Sequence, residues 1–472
     1  MGRRIVIEPV TRIEGHARVT IELGEDGRVR DARVHVTELR GFERICAGRL
    51  VTELPALTAR ICGICPVSHA LAAAKAGDVL LGAAPPPAAR LLRELLQLAQ
   101  VVESHALAFH LLAAPDFVVP DGAPARSFLA MAERAPGLVR DGIDLRRFGQ
   151  QVIERVAGRR VHPAFAVPGG VTHPLEGAAR DAIREAIPAA LAAAGRTLSW
   201  WDEAEPAHAE EAESGGTFPS LFLAMVGPGG DLAFCDGALR AVSPEGAVIA
   251  DGVDPARYAE VVGEAVAPST YVRLPYWRAA GRDDGLYRVG PLARLNVARR
   301  CGTPLADAEL VRWRAAAGGH PVLSTFRAHR ARLVEILHAI ERIERLTDDP
   351  RLLEREVRTP PGTPRPEGVG ACEAPRGTLF HHYRADGDGV VTWVNLLVAS
   401  GQNAVAMNLA VRRIAERWLT GAEITPALLN RVEAGIRAFD PCLSCATHAD
   451  GARWIALRLV GPGGDVLDQV PR

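Results

Sequence analysis

Two C-x-x-C pairs, one near each end of the chain, place the strongest constraint on how this sequence folds. The first lies in Arg60-Ile-Cys-Gly-Ile-Cys-Pro-Val-Ser-His69 and the second in Asp440-Pro-Cys-Leu-Ser-Cys-Ala-Thr-His448. Thiolates are soft, charged ligands that bind zinc, iron–sulfur clusters or nickel. The two motifs therefore predict a fold that brings both ends of the chain together around one metal centre.

The separation of the two pairs favours a catalytic or redox-active metal. Zinc sites with four cysteine ligands are local, with about 15 to 20 residues between their pairs. Here the pairs lie at opposite ends of 472 residues. Structural zinc stays the main alternative at this point, and a thioredoxin-like dithiol is disfavoured because no suitable βαβ pattern surrounds either pair.

Charge and hydropathy narrow the environment in which the chain works. Its net charge of −1 gives no basic footprint for nucleic acid. The N-terminus lacks the apolar region of a secretory signal, and no run reaches the ~20 apolar residues of a membrane span. We therefore expect a cytoplasmic protein with no nucleic-acid partner and no membrane span.

Hydrophobic periodicity predicts a helix-dominated domain over residues 1–448 with peripheral β pieces. The expected helices cover residues 70–81, 88–113, 145–157, 177–200, 324–346, 402–419 and 426–437. The expected strands lie within 5–37, within 217–305 and from Glu373 to Ser400, and the expected loops cover 115–140 and 347–370.

Six short motifs, taken in order, resemble those of the large, catalytic subunit of nickel–iron hydrogenases. They are Thr11-Arg-Ile-Glu-Gly-His16, Arg40-Gly-Phe-Glu43, the first C-x-x-C motif, His162-Pro163 with Pro168-Gly-Gly170, Glu373-Ala-Pro-Arg-Gly377 and the second C-x-x-C motif. Segments such as Gly377-Thr-Leu-Phe-His-His-Tyr383 are most similar to the cytoplasmic, bidirectional, NAD-reducing subgroup. The resemblance implies an α+β, mainly helical fold with a central helix bundle.

The resemblance also implies a Ni-Fe(CN)2(CO) centre held by the four cysteines. Cys62 and Cys442 would be terminal nickel ligands, whereas Cys65 and Cys445 would bridge nickel and iron. Heterolytic cleavage of dihydrogen needs a metal and a nearby base for the proton, and a terminal thiolate such as that of Cys442 can act as this base.

Five further side chains have roles around this centre in the family. Glu14 would transfer protons, and burial would raise its pKa. Arg376 would lie near one iron-bound cyanide and the hydroxyl of Ser400 near the other. Asp440 would pair with Arg376, and His69 would donate a hydrogen bond to a bridging thiolate. Taken alone, each of these residues would fit an ordinary structural role.

A second, structural metal site is implied by three ligands. Glu43, the carbonyl of Leu396 and His448 match a site for magnesium or another divalent ion. Two neighbouring positions depart from the pattern of other relatives, because Ala399 stands where many have proline and Ser104 stands where membrane-bound relatives often have aspartate.

The chain lacks its own route for electrons and therefore implies partner subunits. Four scattered cysteines (Cys46, Cys235, Cys301 and Cys372) have no cluster spacing, and no G-x-G-x-x-G follows a strand. We expect an iron–sulfur small subunit, together with diaphorase subunits that bind flavin and NAD. The alternatives are a deazaflavin, NADP or heterodisulfide acceptor, and a quinone-linked relative is disfavoured because those relatives have lost the cysteines.

The resemblance further implies a maturation step. In this family a C-terminal extension is removed after the last histidine of the motif once nickel is bound. We expect the same of residues 449–472, with a maturation protease and nickel chaperones as transient partners.

Overall fold

A computed structural model describes residues 3–121, 123, 126–267, 270–419, 425–447, 457–460 and 466–470. Its seven principal helices in chain order are α1 (Pro66–Leu80), α2 (Pro87–Ala106), α3 (Pro136–Ala157), α4 (Gly177–Ala204), α5 (Ala328–Asp348), α6 (Ala404–Trp418) and α7 (Pro426–Phe439). Other helices are Phe42–Cys46, Leu54–Thr58, Pro115–Val118, Phe128–Arg134, Ala209–Ser214, Tyr258–Val261, Gly281–Asp284, Pro291–Val297, Pro304–Ala316, Ala399–Gln402 and Leu443–Ala446.

The strands form three larger sheets and three short ladders. The N-terminal sheet contains Arg3–Ile7, Ala17–Leu23 and Val29–Val36, the middle sheet contains Leu221–Val226, Ala238–Val242, Val248–Val253 and Tyr287–Arg288, and the site sheet contains Glu367–Ala374, Gly377–Ala385 and Val391–Leu397. The short ladders pair Ala166–Val167 with Gly170–Val171, Val262–Ala265 with Leu274–Trp277, and Leu457–Val460 with Val466–Val470. The mainly helical α+β fold predicted from the sequence is confirmed.

Helices α2, α3, α4 and α5 form the central bundle that the sequence predicts. Helix α2 begins at Pro87, whose missing N–H costs nothing in the first helical turn. Its leucines and valines recur every three to four residues and are buried in the bundle. Its polar residues Gln97, Gln100 and Glu103, spaced by three, are buried as well. This polar stripe faces the functional site described below.

Helix α2 continues as a π-helix over Leu107–Ala113, which the sequence did not indicate. The combined helix from Pro87 to Val118 is 32 residues long and, by length and composition alone, apolar enough to cross a membrane. The prediction that no segment approaches a membrane span was therefore wrong for this helix. Of its most apolar stretch, 89% is buried inside the protein, as expected for the core helix of a bundle.

The N-terminal sheet packs against α6 and α7, which lead to the second cysteine pair. Alternate residues of Ala17–Leu23 are buried, as the period of a half-buried strand requires. Helix α7 begins with a side-chain cap, because the hydroxyl of Thr425 accepts a hydrogen bond from the Leu428 N–H at 3.3 Å. It ends at Asp440, whose left-handed backbone (φ 50°) turns the chain toward the cysteines.

Three predicted segments need correction. Residues 115–140 contain two short helices and the first turns of α3, each beginning next to a proline or serine, rather than only loop. The predicted loop over 347–370 ends early, because the site sheet already begins at Glu367. Glu373–Gly377 forms the turn between two strands of a three-stranded sheet rather than the start of a strand pair.

Close contact between α2 and α3 predicts a specific sensitivity at Gly149. A Cβ atom there would lie 2.6 Å from the Ala99 carbonyl oxygen and 2.9 Å from the Glu103 nitrogen. Because both neighbours are backbone atoms, we expect Gly149→Ala to lower the free energy of unfolding by about 1–3 kcal/mol.

The control is Gly137→Ala in the same helix, where a Cβ atom meets nothing within 4 Å. We expect this variant to be neutral or stabilised by up to ~1 kcal/mol. Denaturant unfolding of both variants tests the packing, and equal stabilities would contradict it.

Candidate metal centre

The four cysteines of the two motifs converge at one buried point. The sulfur of Cys62 lies 3.2 Å from that of Cys442, and the sulfur of Cys65 lies 3.9 Å from that of Cys445. All four sulfur atoms lie within 4.8 Å of one another. The side chains are between 1% and 5% exposed. The two ends of the chain therefore meet as the motifs predict.

This donor set fits a metal centre. All eight cysteines of the chain are free thiols, so the four converging ones form no disulfide. Hydrogen bonds from the other three thiols lower the pKa of Cys65 well below its usual range, while burial raises the pKa values of Cys442 and Cys445. Four buried sulfur ligands at this spacing would share their negative charge with a bound cation.

The first cysteine pair is held by backbone donors and by helix α2. The Cys62 sulfur accepts hydrogen bonds from the N–H groups of Ile64 (3.2 Å) and Cys65 (3.4 Å). The amide of Gln100 binds both sides of the loop, donating to the Ile64 carbonyl at 2.6 Å and accepting from the Val67 N–H at 3.1 Å. The polar stripe of α2 thereby fixes the first C-x-x-C loop on a rigid helix.

The second pair follows directly from the end of α7. The N–H of Cys442 donates to the hydroxyl oxygen of Ser400 at 2.8 Å. The short helix Leu443–Ala446 then carries Cys445. Because the Ser400 oxygen accepts this bond, its proton remains available for donation to a ligand.

Arg376 and Asp440 form a buried ion pair beside the sulfur atoms. The arginine donates through Nε to the Asp440 carbonyl (2.6 Å) and through Nη2 to its carboxylate (3.1 Å). Burial opposes the charge of Arg376, but Asp440 and three cysteines outweigh it and raise its pKa well above the usual value. Burial also raises the pKa of Asp440, despite Arg376 and Arg332.

Unused polar atoms beside this pair indicate room for a ligand. Arg376 Nη1 and Asp440 Oδ2 are buried without a hydrogen-bond partner among the described residues. Arg376 and Ser400 line a cavity of about 270 Å³ next to Cys65, Cys442 and Cys445. A buried donor without a partner costs roughly 1–3 kcal/mol, so small anionic ligands on a metal would suit this cavity.

The turn that carries Arg376 is fixed by a second buried arginine. Arg294 donates to the carbonyls of Ala374 and Pro375, each at 2.9 Å. It also pairs with Glu373 at 2.9 Å and with Glu335 at 2.7 Å. Arg294 and both carboxylates are fully buried.

Glu14 lies beside the second cysteine pair. Its carboxylate accepts a hydrogen bond from the Ser444 N–H at 3.2 Å, and its backbone pairs with Cys442. Gly15 allows this approach, because a Cβ atom there would lie 2.8 Å from the Leu443 Cβ. Glu14 is half-buried, between the sulfur atoms and the surface.

His69 lines the same cavity as Cys65 and is buried. A hydrogen bond from His69 contributes to the low pKa of Cys65. This is the contact with a bridging thiolate that the sequence predicts.

The three predicted ligands of the divalent ion are partly brought together. The helix Phe42–Cys46, which carries Glu43, packs against the strand Val391–Leu397, which carries Leu396. His448 lies outside the described residues. The divalent site therefore stays a prediction.

Glu103 is a titratable group near the centre for which the motifs indicate no role. Its carboxylate accepts hydrogen bonds from Gln150 (3.0 Å) and Gln100 (3.3 Å), and Arg146 lies 4.0 Å away. Burial raises its pKa to about 7, and the charge of Cys65 adds to this shift. Its place in the polar stripe of α2 was the available signal.

The raised pKa of Glu103 predicts a pH-dependent stability. An acid with a higher pKa in the folded state stabilises the fold below its unfolded pKa of 4.5, and this contribution is lost as the pH rises through about 7. We expect the free energy of unfolding to fall between pH 5 and pH 8 by up to ~3 kcal/mol from this group. Glu103→Gln should remove most of this fall.

Denaturant unfolding of the metal-free chain at both pH values measures this effect. The exposed Glu154→Gln in helix α3 is the control, and it should keep the pH dependence of the unchanged chain. Identical pH dependence in the Glu103 variant would show that this carboxyl titrates normally.

Comparison with known families agrees with this geometry. A sequence profile described as nickel-dependent hydrogenase matches residues 40–127 and 250–448, more than half of the chain, and a profile described as HoxL-like matches residues 4–39. The beta subunit of the NAD-reducing hydrogenase HoxS of Cupriavidus necator is 39% identical over all of both chains. The corresponding chain of the F420-non-reducing hydrogenase vhc of Methanococcus voltae is also 39% identical, over 95% of each chain.

Solved structures share the fold. The crystal structure of an NAD+-reducing NiFe hydrogenase in the H2-reduced state has a TM-score of 0.91 and 43% identity, covering 94% of this chain and 99% of the other. The nickel–iron–selenium hydrogenase of Desulfovibrio vulgaris Hildenborough has a TM-score of 0.75 at 24% identity, over 95% of this chain and 100% of the other, which shows the fold alone. The buried four-cysteine site, the matching profiles and these relatives together show that the chain belongs to the nickel-dependent hydrogenase family and is a large, catalytic subunit.

Proposed function

We propose that this subunit interconverts dihydrogen with protons and electrons and passes the electrons through an iron–sulfur small subunit to NAD+. The observation that carries the proposal is the set of four buried thiols within 4.8 Å of one another, at a cavity lined by Arg376 and Ser400. The NAD-reducing relative from Cupriavidus necator supports the acceptor. Flavin- and NAD-binding diaphorase subunits would complete the complex, with the cytoplasm as its place of action.

A different electron acceptor is the second candidate. The F420-non-reducing relative from Methanococcus voltae has the same identity as the NAD-reducing one. The cleavage of dihydrogen would be unchanged, because the acceptor binds to other subunits.

The cysteines would hold the metals in two roles. When bound, the nickel–iron pair supplies the Lewis acid and the electron store that heterolytic cleavage requires. Cys62 and Cys442 would be terminal on nickel, and Cys65 and Cys445 would bridge it to iron. The thiolate of Cys442 would hold the proton released from dihydrogen.

Glu14 would move this proton toward solvent. Its half-buried carboxylate beside Ser444, with backbone paired to Cys442, supports the role. Arg376 and Ser400 would donate hydrogen bonds to the two cyanides, and Asp440 would hold Arg376 in place. Such donors stabilise buried anionic ligands.

Glu43, the Leu396 carbonyl and His448 would hold a magnesium or other divalent ion. The packing of the Glu43 helix on the Leu396 strand supports this site.

Glu14→Gln tests the function and the role of Glu14 together. The unchanged, matured complex should contain nickel and show infrared bands of iron-bound carbon monoxide and cyanide. The variant should keep both, but its hydrogen oxidation should fall by about 100-fold or more, because a general acid–base group contributes ~10²–10⁴ in rate.

Glu22→Gln provides the control, because this exposed strand residue pairs with Arg4 away from the cysteines. It should keep full activity. Absence of nickel or of the infrared bands from the unchanged complex would contradict the proposed function, whereas full activity of the Glu14 variant would contradict only the role of Glu14.

A maturation cut after His448 would remove residues 449–472 and leave a domain of residues 1–448. We expect the intact mass of the nickel-loaded subunit to equal that of residues 1–448, and the nickel-free precursor to keep the extension. Active, nickel-loaded protein with the whole extension would contradict this prediction.

A further inference from the structure

A buried hydrogen-bonded chain leads away from the first cysteine pair. His69 Nδ1 lies 3.0 Å from His381 Nε2, and His381 Nδ1 lies 2.5 Å from the hydroxyl of Tyr383. The three side chains are at most 1% exposed. His69 lies on helix α1, whereas His381 and Tyr383 lie on one face of the strand Gly377–Ala385. The chain therefore connects the site sheet to the side chain that contacts Cys65.

His381 and Tyr383 both keep their neutral forms. Burial lowers the pKa of His381 well below its usual value and raises the pKa of Tyr383 well above its own. A neutral imidazole carries one N–H donor and one bare acceptor nitrogen. The direction of one hydrogen bond in the chain therefore determines the direction of the next.

The tyrosine sets this direction. Among the described residues, His381 is the hydrogen-bond partner of the Tyr383 hydroxyl. A buried hydroxyl proton without an acceptor is costly, so Tyr383 donates to His381 Nδ1. The proton of His381 is then on Nε2 and is donated to His69 Nδ1, which leaves the proton of His69 on Nε2.

We propose that Tyr383 and His381 are positioning residues that hold the His69 proton on Nε2, so that His69 donates a hydrogen bond to the sulfur of Cys65. The proposal deepens the proposed function and rests on it, because Cys65 is there the thiolate shared by nickel and iron. A donor on a thiolate withdraws electron density from the metals that it binds. The opposite direction would present a bare nitrogen to the thiolate and repel it.

A matched pair on the other face of the same strand provides the control. Tyr258 pairs with His382 Nδ1 at 3.1 Å, and its hydroxyl also accepts from Asn395 at 3.0 Å. His382 contacts Glu367 rather than the cysteines. Successive residues of a strand point to opposite faces, so this tyrosine–histidine pair does not reach the metal centre.

Infrared spectroscopy of the matured complex tests the proposal. Without the Tyr383 donor, His381 no longer has a fixed tautomer, and the hydrogen bond on Cys65 weakens. A more electron-rich thiolate strengthens back-donation from iron to carbon monoxide. We therefore expect Tyr383→Phe to shift the carbon monoxide band to lower wavenumber, and His381→Leu to shift it in the same direction. Tyr258→Phe should leave the band in place.

Nickel content and thermal unfolding show whether each variant is loaded and folded. Phenylalanine keeps the ring that Tyr383 packs in the core, and His381→Leu provides a second reading if one variant fails to mature. A band at the unchanged position, or one shifted to higher wavenumber, in a loaded Tyr383 or His381 variant would overturn the proposal. Absence of carbon monoxide and cyanide bands from the unchanged protein would overturn the proposed function instead.

Discussion

The pairing of one buried guanidinium, that of Arg294, determines the geometry of the centre. Its two carboxylate partners, Glu335 and Glu373, come from helix α5 and from the site sheet. Separating any of these charges inside the protein would cost several kcal/mol, because an unpaired buried charge is poorly solvated. The same guanidinium binds two carbonyls of the Glu373–Gly377 turn. Helix, sheet and turn are therefore locked together before any metal is bound.

This lock explains how charges can lie close to the thiols without collapsing onto them. Arg376 extends from a turn whose backbone is fixed, and Asp440 holds two of its nitrogens. Its third nitrogen stays unpaired among the described residues and adjoins the cavity. Glu103 lies on helix α2, on the side of the first cysteine loop, where it is buried mainly among amides. The thiols thus lie between a fixed positive charge and a carboxyl that titrates near neutral pH.

The sequence was most informative where function depends on short motifs. The convergence of Cys62 and Cys442, the Arg376–Asp440 pair and the contact of Glu14 with the second motif all followed from motif residues. The long helices were also predictable, because their apolar residues repeat with helical period. The helices within 115–140 were missed, because each is too short to show a period.

Other features depend on packing that no local pattern encodes. The pKa of Glu103 depends on burial beneath a loop that lies some forty positions away in the sequence. The tyrosine–histidine chain depends on which face of the Gly377–Ala385 strand turns toward helix α1, and a shift of one residue would present His382 instead. The π-helix after α2 carries no clear sequence signal either.

The meeting of the two chain ends has a consequence for biosynthesis. The paired cysteines are 380 residues apart, which at ~5–20 residues per second means that the ribosome makes the second pair about 20–75 s after the first. The intervening bundle has time to fold while Cys62 and Cys65 have no partners. Contacts of such high contact order form last. The centre is therefore a post-translational site, and the nascent subunit passes through a state in which half of its thiols are present and open to capture by other metals.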